Sequence, residues 1–96
     1  MEEEERNDEI TVGTTPILIC TERSRQELTL TNVSAAAQTI KLIIGKQPAA
    51  FTGAGGVFLI PNSVYWATAA YGFKPTNKAI WAVASAAGAI VAILER

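Results

Sequence analysis

The sequence predicts an all-β protein, a small antiparallel β-sandwich that is jelly-roll-like and has seven or eight strands. Apolar and polar residues alternate in the clearest segments, as in ELTLTN at positions 27–32. Gly, Pro, Asn and Ser mark turns between short segments that start about ten residues apart. No segment has a capped amphipathic helical stripe, so we expect less than about a tenth of the chain to be helical.

The length and the charge distribution predict two parts. With 96 residues, of which 49 % are hydrophobic, the chain suits one small folded domain and not a disordered protein. Residues 1–9 contain six acidic groups and one arginine (net −5), whereas residues 10–96 contain seven basic and three acidic groups (net +4). We therefore expect an extended acidic N-terminal arm at 1–15 and a single β-sandwich domain at 16–96.

Two segments, 27–32 and 39–44, show the strongest alternation. Their inner faces are apolar, whereas Lys41 lies on the other face of its segment, as in half-buried antiparallel strands. Asn32 is placed to open the turn between them. Five apolar side chains on these inner faces are expected in the core: Leu28, Leu30, Ile40, Leu42 and Ile44.

The remaining strands have weaker patterns. They are predicted at 9–12, 16–20, 57–60, 64–68, 78–85 and 89–94. The turns between strands are predicted at 13–16, 52–56, 61–63, 72–77 and 86–88. Trp66 and Trp81 fall within alternating segments, which places them in the core or in a subunit interface.

The glycine-rich stretch FTGAGGVFLIPN at 51–62 raises the alternative of a phosphate-binding loop. Gly53 and Gly55 fit the first two positions of a dinucleotide-binding motif, but Phe58 occupies the third. Pro61 also prevents the residues that follow from opening the helix that such a site requires. We therefore expect a turn in which glycines adopt positive φ before a strand.

The chain lacks the residue types of the common catalytic and metal sites. It has no histidine, which excludes Ser-His-Asp triads and Cys/His zinc sites. Cys20 is the one cysteine and has apolar neighbours, so we expect a buried, inert thiol in a reducing compartment. The carboxylates beyond the arm are too scattered to predict a paired-carboxylate site. These observations predict no enzyme activity, no cofactor and no metal.

Nucleic-acid and membrane partners are also not expected. Seven scattered basic residues do not form a basic stripe with stacking aromatics, and Arg23 and Arg25 are interpreted as a solvated lead-in to a strand. The uncharged, Ala- and Gly-rich run at 79–94 is shorter than the roughly 20 residues that a membrane helix needs. The N-terminus is acidic and has no early apolar stretch, which argues against a signal peptide.

Two sets of residues are candidate partner contacts. The loop AYGFKPTNK at 70–78 mixes aromatic rings with cations, which is typical of contact surfaces. The alternative is that both rings fold back and cap the end of the sandwich. In the arm, two apolar side chains lie on one face of an extended segment, and this segment could pair as an additional strand with a partner's sheet edge. The candidates are Ile10, Val12, Tyr71, Phe73, Lys74 and Lys78.

The order of features resembles a family of virus proteins. An arginine leads the strand in RQELTLTN at 25–32, a second strand ends at Gly45, and then come a glycine loop, Leu59-Ile60-Pro61, an aromatic strand, IWAVAS at 80–85 and Glu95. This order resembles small β-sandwich virion proteins of tailed bacteriophages and related viruses, over roughly residues 16–96.

The resemblance implies a non-enzymatic structural protein that decorates or cements a capsid. Its partners would be the major capsid protein or other virion proteins, and its location the capsid surface, after assembly in the host cytoplasm. Members are often trimers, and the high apolar content also favours a homo-oligomer. The alternative is a head-fibre or tail module that binds a host surface through residues 71–78.

Overall fold

The chain folds into eight antiparallel strands in two four-stranded sheets, which confirms the all-β sandwich prediction. The structure is a computed structural model that describes residues 5–35, 37–46, 51 and 56–96, with only the main chain of residue 71. The strands are β1 Arg6–Val12, β2 Ile17–Cys20, β3 Glu27–Asn32, β4 Ile40–Ile44, β5 Val57–Leu59, β6 Val64–Thr68, β7 Ile80–Ala84 and β8 Ala89–Glu95.

The strands pair in a nested order. One sheet has the order β1-β8-β3-β6 and the other β2-β7-β4-β5. The first strand thus pairs with the eighth, the second with the seventh, the third with the sixth and the fourth with the fifth, all antiparallel. Strands β8 and β7 also pair with β3 and β4, which completes the two sheets. Strands β1, β6, β2 and β5 are therefore edge strands.

The core lies between the two sheets and is aliphatic. Four of the five predicted core residues are at most 1 % exposed, and Ile44, the fifth, is half-buried and packs against them. In β8, buried and half-buried residues alternate from Ala89 to Glu95, so the inner face of this central strand ends in a carboxylate. Burial of these apolar side chains supplies the main stabilisation of the sandwich.

The segment predicted as an arm belongs partly to the sandwich. Residues 6–12 form β1, which runs the length of β8, from the pair Arg6 and Glu95 to the pair Val12 and Ala89. Val12 is fully buried and Ile10 packs against the core. The prediction that these two side chains reach a partner's edge is therefore wrong: their shared apolar face continues the inner face of their own sheet. Residues 1–4 of the arm lie outside the described residues.

Strand β4 is buried on both faces, which the alternation did not predict. Lys41 is 1 % exposed, with its ammonium 5.8 Å from the ring centroid of Phe58 on β5. Gly56 lies over the same face: a Cβ built on it would be 2.7 Å from Ile43 Cδ1 and 2.9 Å from the Leu42 carbonyl oxygen. Its φ of +90° agrees with the predicted glycine turn, of which positions 52–55 lie outside the described residues.

The turn after β3 is built on Asn32, as predicted. The Asn32 side chain is fully buried, donates from Nδ2 to the carbonyls of Gln38 (2.8 Å) and Leu59 (2.7 Å), and accepts from the Ser34 amide (3.0 Å). The one helical element in the described residues is a 3₁₀ turn at Ala69–Tyr71. No helix among these residues has the length and apolarity to cross a membrane.

Candidate functional site: an arginine–glutamate cluster at the charged end

The two ends of the sandwich differ in charge. One end, the neutral end, consists of the turns at 13–16, 33–39, 60–63 and 85–88, whose sequences contain no ionisable side chain. At the other end, the charged end, the loops 21–26 and 69–79 meet the start of β1 and the end of β8. Main-chain hydrogen bonds join these loops: the Arg23 amide donates to the Asn77 carbonyl (3.0 Å) and the Gln26 amide to that of Arg96 (2.6 Å).

A buried ion pair occupies the centre of the charged end. Arg25 Nε donates to Glu95 Oε2 over 2.6 Å, and the side chains are 0 % and 2 % exposed. Glu95 reaches this place because it continues the inner-face alternation of β8, whereas Arg25 enters from the loop that precedes β3. The prediction that Arg25 is solvated is therefore wrong. A charge-assisted hydrogen bond in a site closed to water is among the strongest polar contacts a protein makes.

The rest of the Arg25 guanidinium is satisfied by main-chain carbonyls. Nη1 donates to the carbonyls of Thr76 (2.7 Å) and Lys78 (3.1 Å), and Nη2 donates to that of Thr21 (2.6 Å). These acceptors belong to the connections on both sides of the guanidinium, 21–26 and 69–79. Arg25 therefore fixes two loops to the end of β8, with no buried side-chain polar atom left unpaired in the described part of the chain.

Two further arginines face the other oxygen of Glu95. Arg6 Nη1 is 3.2 Å and Arg23 Nη1 is 3.8 Å from Glu95 Oε1, and both side chains are 27 % exposed. Arg6 also donates to the Ile19 carbonyl over 2.7 Å, which links β1 of one sheet to β2 of the other. Arg23 is thus part of a partly buried cluster, which corrects its prediction as a solvated residue. One carboxylate serves three guanidinium groups.

The cluster fixes the protonation of its two weak acids. Burial on its own raises the pKa of Glu95, but the hydrogen bonds and positive charges of Arg25 and Arg6 outweigh it and place the pKa below the usual value. Burial, with a smaller contribution from Glu95, raises the pKa of the Cys20 thiol to about 11. At neutral pH Glu95 is therefore ionised, and its oxygens face arginines and not solvent. Cys20 is a protonated, buried thiol, as expected for an inert cysteine.

A groove of about 600 Å³ opens beside the cluster, between edge strands β1 and β2. Ile10, Leu18 and Ile19 form its apolar part, and Arg6, Arg23, Asp8, Glu5 and Glu95 its charged part. The positive and negative groups in the groove pair with one another, as in the contact of Arg6 with Asp8 at 3.7 Å. No group of three His, Cys, Asp or Glu side chains suited to a metal occurs in the described ranges.

The loop predicted as a contact surface also lies at the charged end. Phe73 is 62 % exposed and leans on Trp66, with ring centroids 6.5 Å apart, so this ring does not cap the core. Lys74 and Lys78 are exposed, and the Tyr71 side chain lies outside what the structure describes. The loop starts from the 3₁₀ turn, which ends at Gly72 with φ +84°. Arg25 holds its other end through the two carbonyls described above.

Of the two residues of the buried ion pair, Glu95 could have been recognised from the sequence and Arg25 could not. Glu95 stands at an inner position of an alternating strand, after Val91 and Ile93, and a carboxylate there requires a buried cation. Arg25 precedes β3, and outside a strand the alternation rule does not predict whether a side chain points toward the core or toward solvent. Comparison with family models, curated proteins and solved structures found no significant match for the chain.

Proposed function

We propose that the protein is a non-enzymatic structural component of a virus particle that decorates or cements the capsid through contacts with neighbouring subunits. The observation that carries the proposal is the nested strand order, with outer strands paired to outer strands and inner to inner. This order supports interpretation of the sandwich as a jelly roll, an architecture that recurs in viral capsid domains. It adds to the order of sequence features that resembles phage virion proteins.

The chemistry of the charged end favours a structural role. Glu95 is held ionised by arginines that occupy its oxygens, and Cys20 is protonated and buried. A general base needs an accessible lone pair and a nucleophilic cysteine needs a thiolate, so neither group is set up for catalysis. The three arginines instead tie β1, two loops and β8 into one unit, which suits a small protein that must keep its shape on a particle.

We assign the contact with the shell to the loop at 72–78. Phe73 is the most exposed large apolar side chain in the described residues, and Lys74 and Lys78 are exposed beside it. An exposed aromatic ring with flanking cations is a common centre for a protein–protein contact. The loop has a fixed base, because Pro75 is buried and Arg25 bonds the carbonyls of Thr76 and Lys78, so binding would cost little ordering.

Purified particles of the virus that encodes the chain provide the test. We expect mass spectrometry to detect the protein in them and electron microscopy to show many copies on the shell. When added to particles that lack the protein, Phe73→Asp should bind at least tenfold more weakly than wild type. Val33→Asp, at an exposed apolar residue of the neutral end, should bind normally. Absence from purified particles would overturn the proposal, and equal binding by both variants would remove the loop from it.

A head-fibre or tail module that binds a host surface is the second candidate function. The exposed Phe73 beside two lysines favours it, because the same loop suits an anionic or glycan-bearing receptor. In this case microscopy would show copies at a few positions on the particle, and the purified protein would bind host cells. Cell binding that Phe73→Asp abolishes, without binding to the shell, would decide for this candidate.

The acidic N-terminal residues are proposed to steer the protein to its binding site. Of the residues that precede β1 the structure describes Glu5, whose carboxylate lies 3.8 Å from the Arg96 guanidinium at the charged end. Deletion of 1–15 would remove β1, so the informative variant lacks only residues 1–5. We expect slower binding at low salt and unchanged binding at high salt, because steering by exposed charges is screened. Equal rates at low salt would contradict the steering role.

A further inference from the structure

The arginines and the lysines of the chain have different environments. All four arginines form ion pairs with the chain's own carboxylates. Of the four lysines, Lys41 is buried and the other three are exposed. None of these three forms an ion pair within the part of the chain that the structure describes: Lys46, Lys74 and Lys78. The arginines therefore hold the fold together, and the exposed lysines are the cations that remain for a partner.

The three exposed lysines lie together at the charged end, where they form what we call the lysine surface. Just beyond the β4–β7 ladder, the Gly45 amide donates to the Ala79 carbonyl over 2.7 Å. The next residues outward, Lys46 and Lys78, are thus neighbours, and a Cβ built on Gly45 would be 3.9 Å from the Lys78 Cβ. Lys74 belongs to the same loop as Lys78. Like charges at neighbouring positions repel, so this arrangement is slightly unfavourable in the free protein.

The carboxylates at this end do not balance the lysine surface. Glu27 and Glu95 pair with arginines. Glu22, on the loop 21–26, is exposed and forms no ion pair in the described residues, so the three lysines outnumber it. Phe73 stands next to Lys74 and is 62 % exposed. The loop thus presents an apolar ring accompanied by a surplus of positive charge, and a partner with negative charge is complementary to it.

We propose that the surface which receives the loop at 72–78 is an acidic protein surface, with carboxylates that face the lysine surface around an apolar recess for Phe73. The inference rests on the proposed function, because it names the chemistry of the partner at that contact. Lysine suits such a partner, since it is a mobile point charge that pairs with scattered carboxylates. Phosphate groups are recognised most specifically by the arginine fork, and the arginines of this chain are engaged with its own carboxylates.

An acidic surface opposite the lysines is compatible with the basic group that the acidic N-terminal residues require. Glu5 and Arg96 adjoin β1 and β8 of one sheet, whereas Lys46 and Lys78 adjoin β4 and β7 of the other. Charges of opposite sign therefore lie on opposite sides of the charged end. A partner with the complementary pattern accepts one orientation, because a half turn of the sandwich would bring like charges together.

The test is the rate at which the protein associates with particles that lack it, measured at low and at high salt. We expect the double variant Lys74→Gln, Lys78→Gln to associate about tenfold more slowly than wild type at low salt, because steering by opposite charges is lost. The difference should shrink at high salt, where exposed charges are screened. The double variant Lys74→Arg, Lys78→Arg keeps both charges and should associate at the wild-type rate.

The matched control is the double variant Thr14→Glu, Thr15→Glu. It changes the net charge by the same amount at two exposed residues of the neutral end, and it should associate at nearly the wild-type rate. If wild type does not bind the particles, the proposed function and this inference both fail. If wild type binds and the glutamine variant associates as fast as the control at low salt, only the acidic partner surface is excluded. Faster association of the glutamine variant, or lysine-dependent binding to host cells without binding to the shell, would also overturn the proposal.

Discussion

Arg25 and Glu95 lie 70 positions apart in the chain and 2.6 Å apart in space, in a site from which solvent is excluded. Their pairing decides the conformation of both loops at the charged end, because the same guanidinium also holds three carbonyls. A buried ion pair of this kind need not make the protein more stable than a pair of apolar side chains of the same shape would. Removal of one partner, however, leaves an uncompensated buried charge.

Glu95→Gln should lower the free energy of unfolding by about 3–5 kcal/mol, because three arginines would then face a neutral amide. Urea denaturation followed by tryptophan fluorescence measures this change. The matched control is Glu27→Gln, which removes the partially exposed contact with Arg96 at 2.8 Å and should cost at most about 1 kcal/mol. Equal effects of the two substitutions would contradict a special role for the buried pair.

The stability that Glu95 contributes should depend on pH in one direction. Its pKa in the folded protein is lower than the usual value of about 4.3, so between these two values the unfolded chain binds more protons. The contribution is therefore complete above about pH 5 and decreases as the pH falls through the folded pKa. The difference in unfolding free energy between wild type and Glu95→Gln should shrink from pH 7 to pH 3. A constant difference would contradict the lowered pKa.

Gly56→Ala and Gly72→Ala separate steric overlap from backbone strain. Both glycines have positive φ, +90° and +84°, which costs an alanine about 1–2 kcal/mol. At Gly56 the new Cβ would also overlap Ile43 Cδ1 and the Leu42 carbonyl, whereas nothing lies within 4 Å at Gly72. We expect Gly56→Ala to destabilise by about 1–3 kcal/mol more than Gly72→Ala. Thermal unfolding measures both, and equal losses would show that residues 56–58 do not pack closely on β4.

Asn32→Ala should destabilise the neutral end by about 2–4 kcal/mol, because it leaves the Leu59 and Gln38 carbonyls and the Ser34 amide without their partner. Gln38→Ala is the control, since its side chain makes an exposed hydrogen bond to the Ala87 carbonyl and its loss should cost less than about 1 kcal/mol. Chemical denaturation provides the comparison. A cost for Asn32→Ala no larger than the control's would mean that water replaces the amide.

Cys20 should resist thiol reagents until the protein unfolds. With a pKa of about 11, about one thiol in a thousand is ionised at pH 8, and the side chain is fully buried. We expect the rate of reaction with a chromogenic disulfide to rise at least a hundredfold in denaturant and to follow the unfolding transition measured by fluorescence. Rapid labelling in native buffer would show that β2 opens independently of the rest of the sandwich.

The sequence predicted the strands and core better than the charged residues. All eight strands fall on predicted segments, because alternation directly records which side chains face the core. The same rule failed at Lys41, whose outward position is covered by Phe58 of the neighbouring strand β5 and by Gly56 just before it. It was silent on Arg25, which lies outside any strand. Burial of a charge depends on a partner far along the chain, and alternation within one segment contains no information about that partner.

The boundary of the arm was wrong for a related reason. Composition separates residues 1–9 from the rest, but β1 begins at Arg6, in the middle of the acidic block. An edge strand tolerates charge: Glu9 lies on its solvent side, whereas Asp8 lies on the face of Ile10 and Val12 but at the groove, where it pairs with Arg6. Ile10 and Val12 suit the core, so their alternation outweighs the net charge of the segment.

The position of β8 between β1 and β3 has a consequence for synthesis of the protein. Strand β8 leaves the ribosome after the other seven described strands, yet it is the shared neighbour of β1 and β3. Until then the nascent chain holds three strands of this sheet, β3 and β6 as a pair enclosing β4 and β5, and β1 alone, without the strand that joins them. Folding must therefore wait for translation to reach β8, and stalled or truncated chains are substrates for chaperones or aggregation.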